Sequence, residues 1–306
     1  MKTSKSTRRD FLVAMSALGL SGLMPASSLA QRKMPLRRIP GTNEMLPIIG
    51  LGSSKPVSQI GDDGVGPISE VLRTLVAQGG RVVDTWPRNP ANDEAFGQVI
   101  NQPDLRKALF VTSKIDQVGK QAGIDQFRET QRLYQRETLD LLQVFSLTDV
   151  ETQWSNLKDF KAAGEVRYIG VTVSSAKLYE PLERFLEKEK PDFAQVNYSI
   201  TERDAEERIL PLLQDLGIAV IINRPFMNGE YFRRIGQRRV PDWAGEFDCR
   251  TWAQVSLKYI LPHPAITCVL TETTNPAHMA ENAEAAFGRM PDSAQRDRMK
   301  AVIAKI

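Results

Sequence analysis

Eight short, unbroken runs of apolar and β-branched residues, separated by longer stretches of helical periodicity, constrain this chain's fold more than any other feature. The runs are Ile48–Leu51, Arg81–Asp84, Leu109–Ile115, Leu139–Phe145, Val166–Val173, Phe193–Tyr198, Ile218–Asn223 and Ile266–Leu270. Each is continuous rather than alternating, the pattern of strands buried on both faces of a parallel sheet. Between them, Ile68, Val71, Leu72, Leu75 and Val76 recur at helical spacing and stop at Gly79-Gly80. Asn92 reads as an N-cap for a helix holding Ala95, Phe96 and Val99, and Trp154, Leu157 and Phe160 precede a C-terminal Gly164. Leu178–Leu186, Ile209–Leu216, Trp252–Leu261 and Pro276–Phe287 supply further helices. This alternation predicts an α/β fold, a (β/α)8 TIM barrel, which takes roughly 250 residues as one domain. The active face of such a barrel lies at the C-terminal strand ends, so Asp84, Lys114, Phe145, Thr172, Asn197, Arg224 and Thr271 are the positions to inspect.

Residues 1–30 do not share the pattern. Lys2 and Lys5 precede Ser6-Thr7-Arg8-Arg9-Asp10-Phe11-Leu12, an apolar run follows to Met24, and Ser28-Leu29-Ala30 offers small residues for cleavage. The paired arginines before Phe-Leu match a twin-arginine export signal, with the run too short for a membrane span. The expectation is a signal peptide over 1–30, a barrel domain over 31–306, passage through the twin-arginine translocation machinery, a periplasmic address and no stable membrane span. The whole chain carries a formal +3, all of it in this segment, so the remainder is formally neutral. That gives no reason to expect a nucleic acid or polyanion as partner. No metal site is evident, and Cys249 and Cys268 are expected to stay unpaired, since Cys268 lies in the apolar run Ala265–Leu270.

At the strand ends the chain resembles the aldo-keto reductases, from about residue 37 to residue 288. The resemblance is carried by Leu46-Pro47-Ile48-Ile49-Gly50-Leu51-Gly52 and by Val83-Asp84-Thr85-Trp86-Pro87 with Asp93-Glu94-Ala95-Phe96-Gly97 downstream. It continues through Val111-Thr112-Ser113-Lys114, Leu139-Asp140-Leu141-Leu142-Gln143-Val144, Gly164-Glu165-Val166-Arg167-Tyr168-Ile169-Gly170-Val171, and Thr274-Asn275-Pro276-Ala277-His278-Met279 with Glu281-Asn282. The resemblance implies hydride transfer between NADP or NAD and a small-molecule carbonyl substrate. A tyrosine serves as general acid, a lysine–aspartate pair tunes it, and a histidine orients the substrate.

Asp84 and Lys114 match the aspartate and lysine. The tyrosine position is Asn89, which donates hydrogen bonds but is no acid, and the histidine position is Phe145. His263 and His278 read as structural. On the cofactor side the resemblance assigns Thr172, Gln195, Arg224, Phe226, Thr273, Glu281 and Asn282. Glu272 stands where a glycine is usual, placing a carboxylate beside the expected pyrophosphate, and no lysine or arginine follows to read a 2′-phosphate. Two functions are therefore compatible with the sequence. One is an oxidoreductase in which Lys114 or a water supplies the proton; the other is a catalytically inactive barrel that binds a small molecule or a protein.

Overall fold

The computed structural model describes residues 33–306; the expected export segment lies outside them. Eight parallel strands close a barrel: β3 (Ile49–Gly52), β4 (Val82–Asp84), β5 (Phe110–Ile115), β6 (Leu139–Phe145), β7 (Val166–Thr172), β8 (Phe193–Asn197), β9 (Ala219–Asn223) and β10 (Ile266–Thr271). Each falls on one of the eight apolar runs. Closure comes from β10 against β3, with Val269 opposite Ile49 and Thr271 opposite Leu51.

Successive residues of a strand point to opposite faces. Val82, Phe110, Leu141, Phe193, Ala219, Ile221, Cys268 and Leu270 accordingly fill the barrel interior. Their neighbours Val83, Val111, Leu142, Ala194, Val220 and Val269 pack against the helices. Both faces are apolar, which is why the runs show no alternation.

Helices cover the outside: α1 (Ser54–Ser58), α2 (Ile60–Asp63), α3 (Gly66–Ala77), α4 (Pro90–Ile100), α5 (Lys120–Tyr134), α6 (Val150–Ala162), α7 (Tyr179–Glu189), α8 (Ile209–Asp215), α9 (Glu230–Ile235), α10 (Trp252–Ile260), α11 (Pro276–Glu284) and α12 (Ser293–Ile303). Gly97 lets α4 approach α5, because a Cβ there would lie 2.0 Å from the Leu133 carbonyl oxygen. The start of α4 corrects a sequence expectation. The cap is Asn89 rather than Asn92, and Pro90 opens the first turn, where a missing N–H costs nothing. Asn92 is buried and donates to the Ser58 carbonyl, tying α4 to α1.

A hairpin of β1 (Leu36–Arg38) and β2 (Met45–Pro47) precedes the barrel. Its strands of three residues are too short to show a period. Ile39 and Leu46 plug the barrel interior from its N-terminal end. Arg37 anchors it by donating to the carbonyls of Leu261, His263 and Ile266. Cys249 and Cys268 are both buried free thiols, as expected. No helix of the described residues is long and apolar enough to cross a membrane, and among them no cluster of three or more His, Cys, Asp or Glu could hold a metal.

His263 is structural: its Nδ1 accepts from the Ala265 N–H at 3.3 Å. Burial, with help from the Arg296 guanidinium, pushes its pKa from 6.5 down to about 4. Unfolding restores the ordinary value, so the unfolded chain binds the extra proton first as pH falls. Stability is therefore expected to drop between pH 6.5 and about 4. His263→Gln should flatten the thermal melting temperature across that window; an unchanged slope would place the acid sensitivity elsewhere.

Candidate active site

The site begins with strand register. Asp84 at the end of β4 lies opposite Thr112 of β5, and two residues further along, on the same face, is Lys114. Its ammonium meets Asp84 Oδ2 at 2.7 Å, with both groups almost fully buried. The Thr112 hydroxyl donates to the other carboxylate oxygen. Gln195 donates to Oδ2 at 3.2 Å, Gln143 reaches Oδ1 at 3.5 Å, and Gln143 also donates to Gln195 Oε1 at 2.9 Å. The carboxylate thus has several donors, whereas Lys114 has one hydrogen-bond partner for its ammonium among the described residues. Burial pulls the Lys114 pKa down, Asp84 opposes that, and the nearby Arg88 charge adds to the lowering.

An aromatic stack roofs this pair. The Trp86 ring centroid lies 5.0 Å from Lys114 Nζ and 4.8 Å from the Phe145 ring, tilted at 32°. On the same indole the Arg88 guanidinium sits 3.8 Å from the centroid. Above them opens a cleft of about 770 Å³ at the C-terminal strand ends, within the usual range for small-molecule sites.

Eight of the eleven residues assigned to catalytic or cofactor positions line this cleft: Asp84, Lys114, Phe145, Thr172, Gln195, Arg224, Phe226 and Thr273. Three do not. Asn89 is exposed, and its side chain is committed to α4, accepting from Ala91 N at 3.1 Å and Asn92 N at 3.3 Å. Asp93 completes that turn by accepting from the backbone of Arg88 and Asn89 at 2.7 and 2.8 Å. With Pro90 starting the helix at once, position 89 serves as a cap rather than as part of the cleft wall. Glu281 and Asn282 lie further along α11. The Glu281 carbonyl accepts from Gln254, and Asn282 is buried.

Glu272 lines the cleft, but its carboxylate accepts from the Lys55 N–H at 3.1 Å, which links the loop after β10 to α1. Arg224 has φ +54°, an unusual conformation for a non-glycine residue. Its Nη1 donates to the Ser174 carbonyl at 2.7 Å, and its Nε is buried with no hydrogen-bond partner among the described residues.

Sequence reasoning gave no role to Trp86, Arg88, Lys55, Gln143 or Phe232. The first two follow Asp84 in the same loop, and Gln143 precedes Phe145 by two residues on the same strand face. A search extended along loop and face would have reached all three. Lys55 and Phe232 come from separate helical segments and carried no such signal.

Comparison with known proteins agrees with the barrel fold. Among solved structures, an aldo-keto reductase from Klebsiella pneumoniae in complex with NADPH superposes with a TM-score of 0.71 at 23% identity, covering 89% of this chain and 95% of that one. The holo form of an aldo-keto reductase from Bacillus halodurans gives 0.70 at 18% identity, covering 88% and 96%. The NADH-specific methylglyoxal reductase of Escherichia coli (strain K12) is 26% identical where it aligns, over 45% of this chain; the chain spans about half the length of that relative (49%). The model of the aldo/keto reductase family matches residues 67–303, and the chain belongs to that family.

Proposed function

We propose that the cleft is the active site of an oxidoreductase that moves a hydride between a nicotinamide nucleotide and a carbonyl compound. The observation that carries this reading is the buried Asp84–Lys114 pair at the floor of a cleft of about 770 Å³. The nucleotide supplies the hydride; the chain supplies binding, orientation and the proton. Arg224, with its unpartnered Nε, and Thr273, just ahead of the N-terminus of α11, offer donors to phosphates. Glu272 keeps its charge in the cleft, with its carboxylate accepting from the Lys55 N–H. Thr273 and Thr274 stand where a 2′-phosphate would need a cation, so NADH and NADPH are both candidates. With Asn89 tied up as a cap and Phe145 apolar, the catalytic set is degenerate. Lys114, its ammonium made more acidic by burial, is the group that donates a proton to the carbonyl oxygen.

A second reading, a barrel kept for binding alone, is favoured by one observation: the Trp86 and Phe145 rings stand near the lysine, where a proton donor and an orienting group would work. Titration of the purified protein with NADH and NADPH, followed by nicotinamide absorbance with methylglyoxal present, separates the two. Binding and oxidation that Lys114→Met abolishes support the enzyme. Absence of nucleotide binding sinks it.

Residues 1–30 are proposed to direct export by the twin-arginine route and to be cut after Ala30, delivering a folded barrel to the periplasm. Arg8→Lys with Arg9→Lys is expected to leave the precursor uncut in the cytoplasm. Normal periplasmic levels of that variant would overturn the route.

A further inference from the structure

The cleft carries an unbalanced charge. Lys55, Arg88, Lys114 and Arg224 line it against two carboxylates, Asp84 and Glu272. Asp84 is taken by Lys114, and Glu272 by a backbone N–H. Arg88 differs from Lys55, whose side chain is also unpaired among the described residues, in being held over an aromatic ring. Its guanidinium carbon sits over the Trp86 ring, 3.8 Å from the centroid, no carboxylate pairs with it among the described residues, and its side chain makes no hydrogen bond there. Stacking fixes the plane while leaving the N–H edge open, the geometry that receives a planar oxyanion through two parallel bonds. Trp86 and Phe145 supply apolar surface to the same cleft. The same indole ring lies 5.0 Å from Lys114 Nζ, so the guanidinium and the buried ammonium are within the length of one small molecule.

We propose that Arg88 is an anion receptor and that the compound used in this cleft carries a carboxylate, held there while its carbonyl faces Lys114. This rests on the cleft being a ligand site as proposed above, and it deepens that reading by naming the substrate class. A nucleotide phosphate is the other possible anion. It belongs with Arg224 and Thr273, which follow β9 and β10 rather than β4, with β3 between β10 and β4 in the barrel order. A charged receptor also suits a site whose proton donor is a cation, because an anionic substrate offsets the repulsion between Arg88 and Lys114.

The test is calorimetric binding of phenylacetate and of its uncharged amide, phenylacetamide, to the nucleotide-free protein, so that it does not depend on turnover. The acid should bind the wild type at least about tenfold tighter than the amide, the contribution expected of a charge-assisted bidentate bond. Arg88→Gln should bring the two probes to within about twofold of one another while leaving the amide unchanged, since the apolar surface remains. Arg88→Lys should fall between, retaining charge without the planar fork. Arg224→Gln should leave the preference intact. The proposal is overturned if neither probe binds, if the wild type does not distinguish them, or if the preference survives Arg88→Gln. It is equally overturned if the preference disappears in Arg224→Gln alone, which would place the acid at the phosphate end. Nucleotide titration of the same preparations reports separately on the oxidoreductase reading.

Discussion

Asp84→Asn is expected to destabilise the barrel by about 3–5 kcal/mol, the cost of leaving a buried charge without its partner. Two terms bound that figure. The variant keeps Lys114 buried beside a neutral amide, with the Trp86 ring centroid 5.0 Å away. The ammonium escapes by losing its proton, and at pH 7 holding a lysine neutral costs no more than about 5 kcal/mol. The deficit should therefore shrink as pH rises toward about 10, where the unfolded chain also releases the proton. Lys114→Met should cost less, because Asp84 retains donors from Thr112, Gln143 and Gln195. Denaturant unfolding of both variants checks the order and the pH trend. A Lys114→Met variant less stable than Asp84→Asn would mean that the glutamine and threonine bonds do not support the carboxylate.

The second large effect is a gain. Asn89→Tyr by itself should not create a reductase acid. It removes the α4 cap, costing about 1 kcal/mol, and Trp86 occupies the space beside Lys114. Combining Trp86→Ala, Asn89→Tyr and Phe145→His opens that space and supplies both a phenol and a polar partner for the substrate oxygen. The triple variant is expected to reduce a generic aromatic aldehyde at least about tenfold faster than wild type, a fraction of what a positioned acid contributes. The single variants should gain little, because the groups act as a unit. A triple variant that binds NADPH in a fluorescence titration and reduces nothing would set the oxidoreductase reading aside in favour of the binding barrel.

The barrel was legible in the sequence because each strand is buried on both faces and each helix on one. Phe110 and Val111 are neighbours that face opposite ways, and both are apolar. Such local pattern is a property of the chain itself. Asp84 and Lys114 were legible for the same reason, since strand ends of this fold converge on one face. The destination of a side chain in a loop is a different kind of fact. Asn89 was read as part of the site, but Pro90 begins a helix whose free N–H groups claim the Asn89 oxygen, and a helix end satisfies its donors with the nearest acceptor. Glu272 was read as a repulsive charge; it stays in the cleft, where its carboxylate accepts from the Lys55 N–H, far away in sequence. The stack of Arg88, Trp86 and Phe145 joins residues from the ends of β4 and β6, and only the pairing of both strands with β5 brings those ends together. The sequence by itself determined which elements form and which face carries the chemistry, through periodic burial. The tertiary structure alone decided which polar groups are already satisfied and which stay free to meet a ligand, because hydrogen-bond partners are chosen by distance in space.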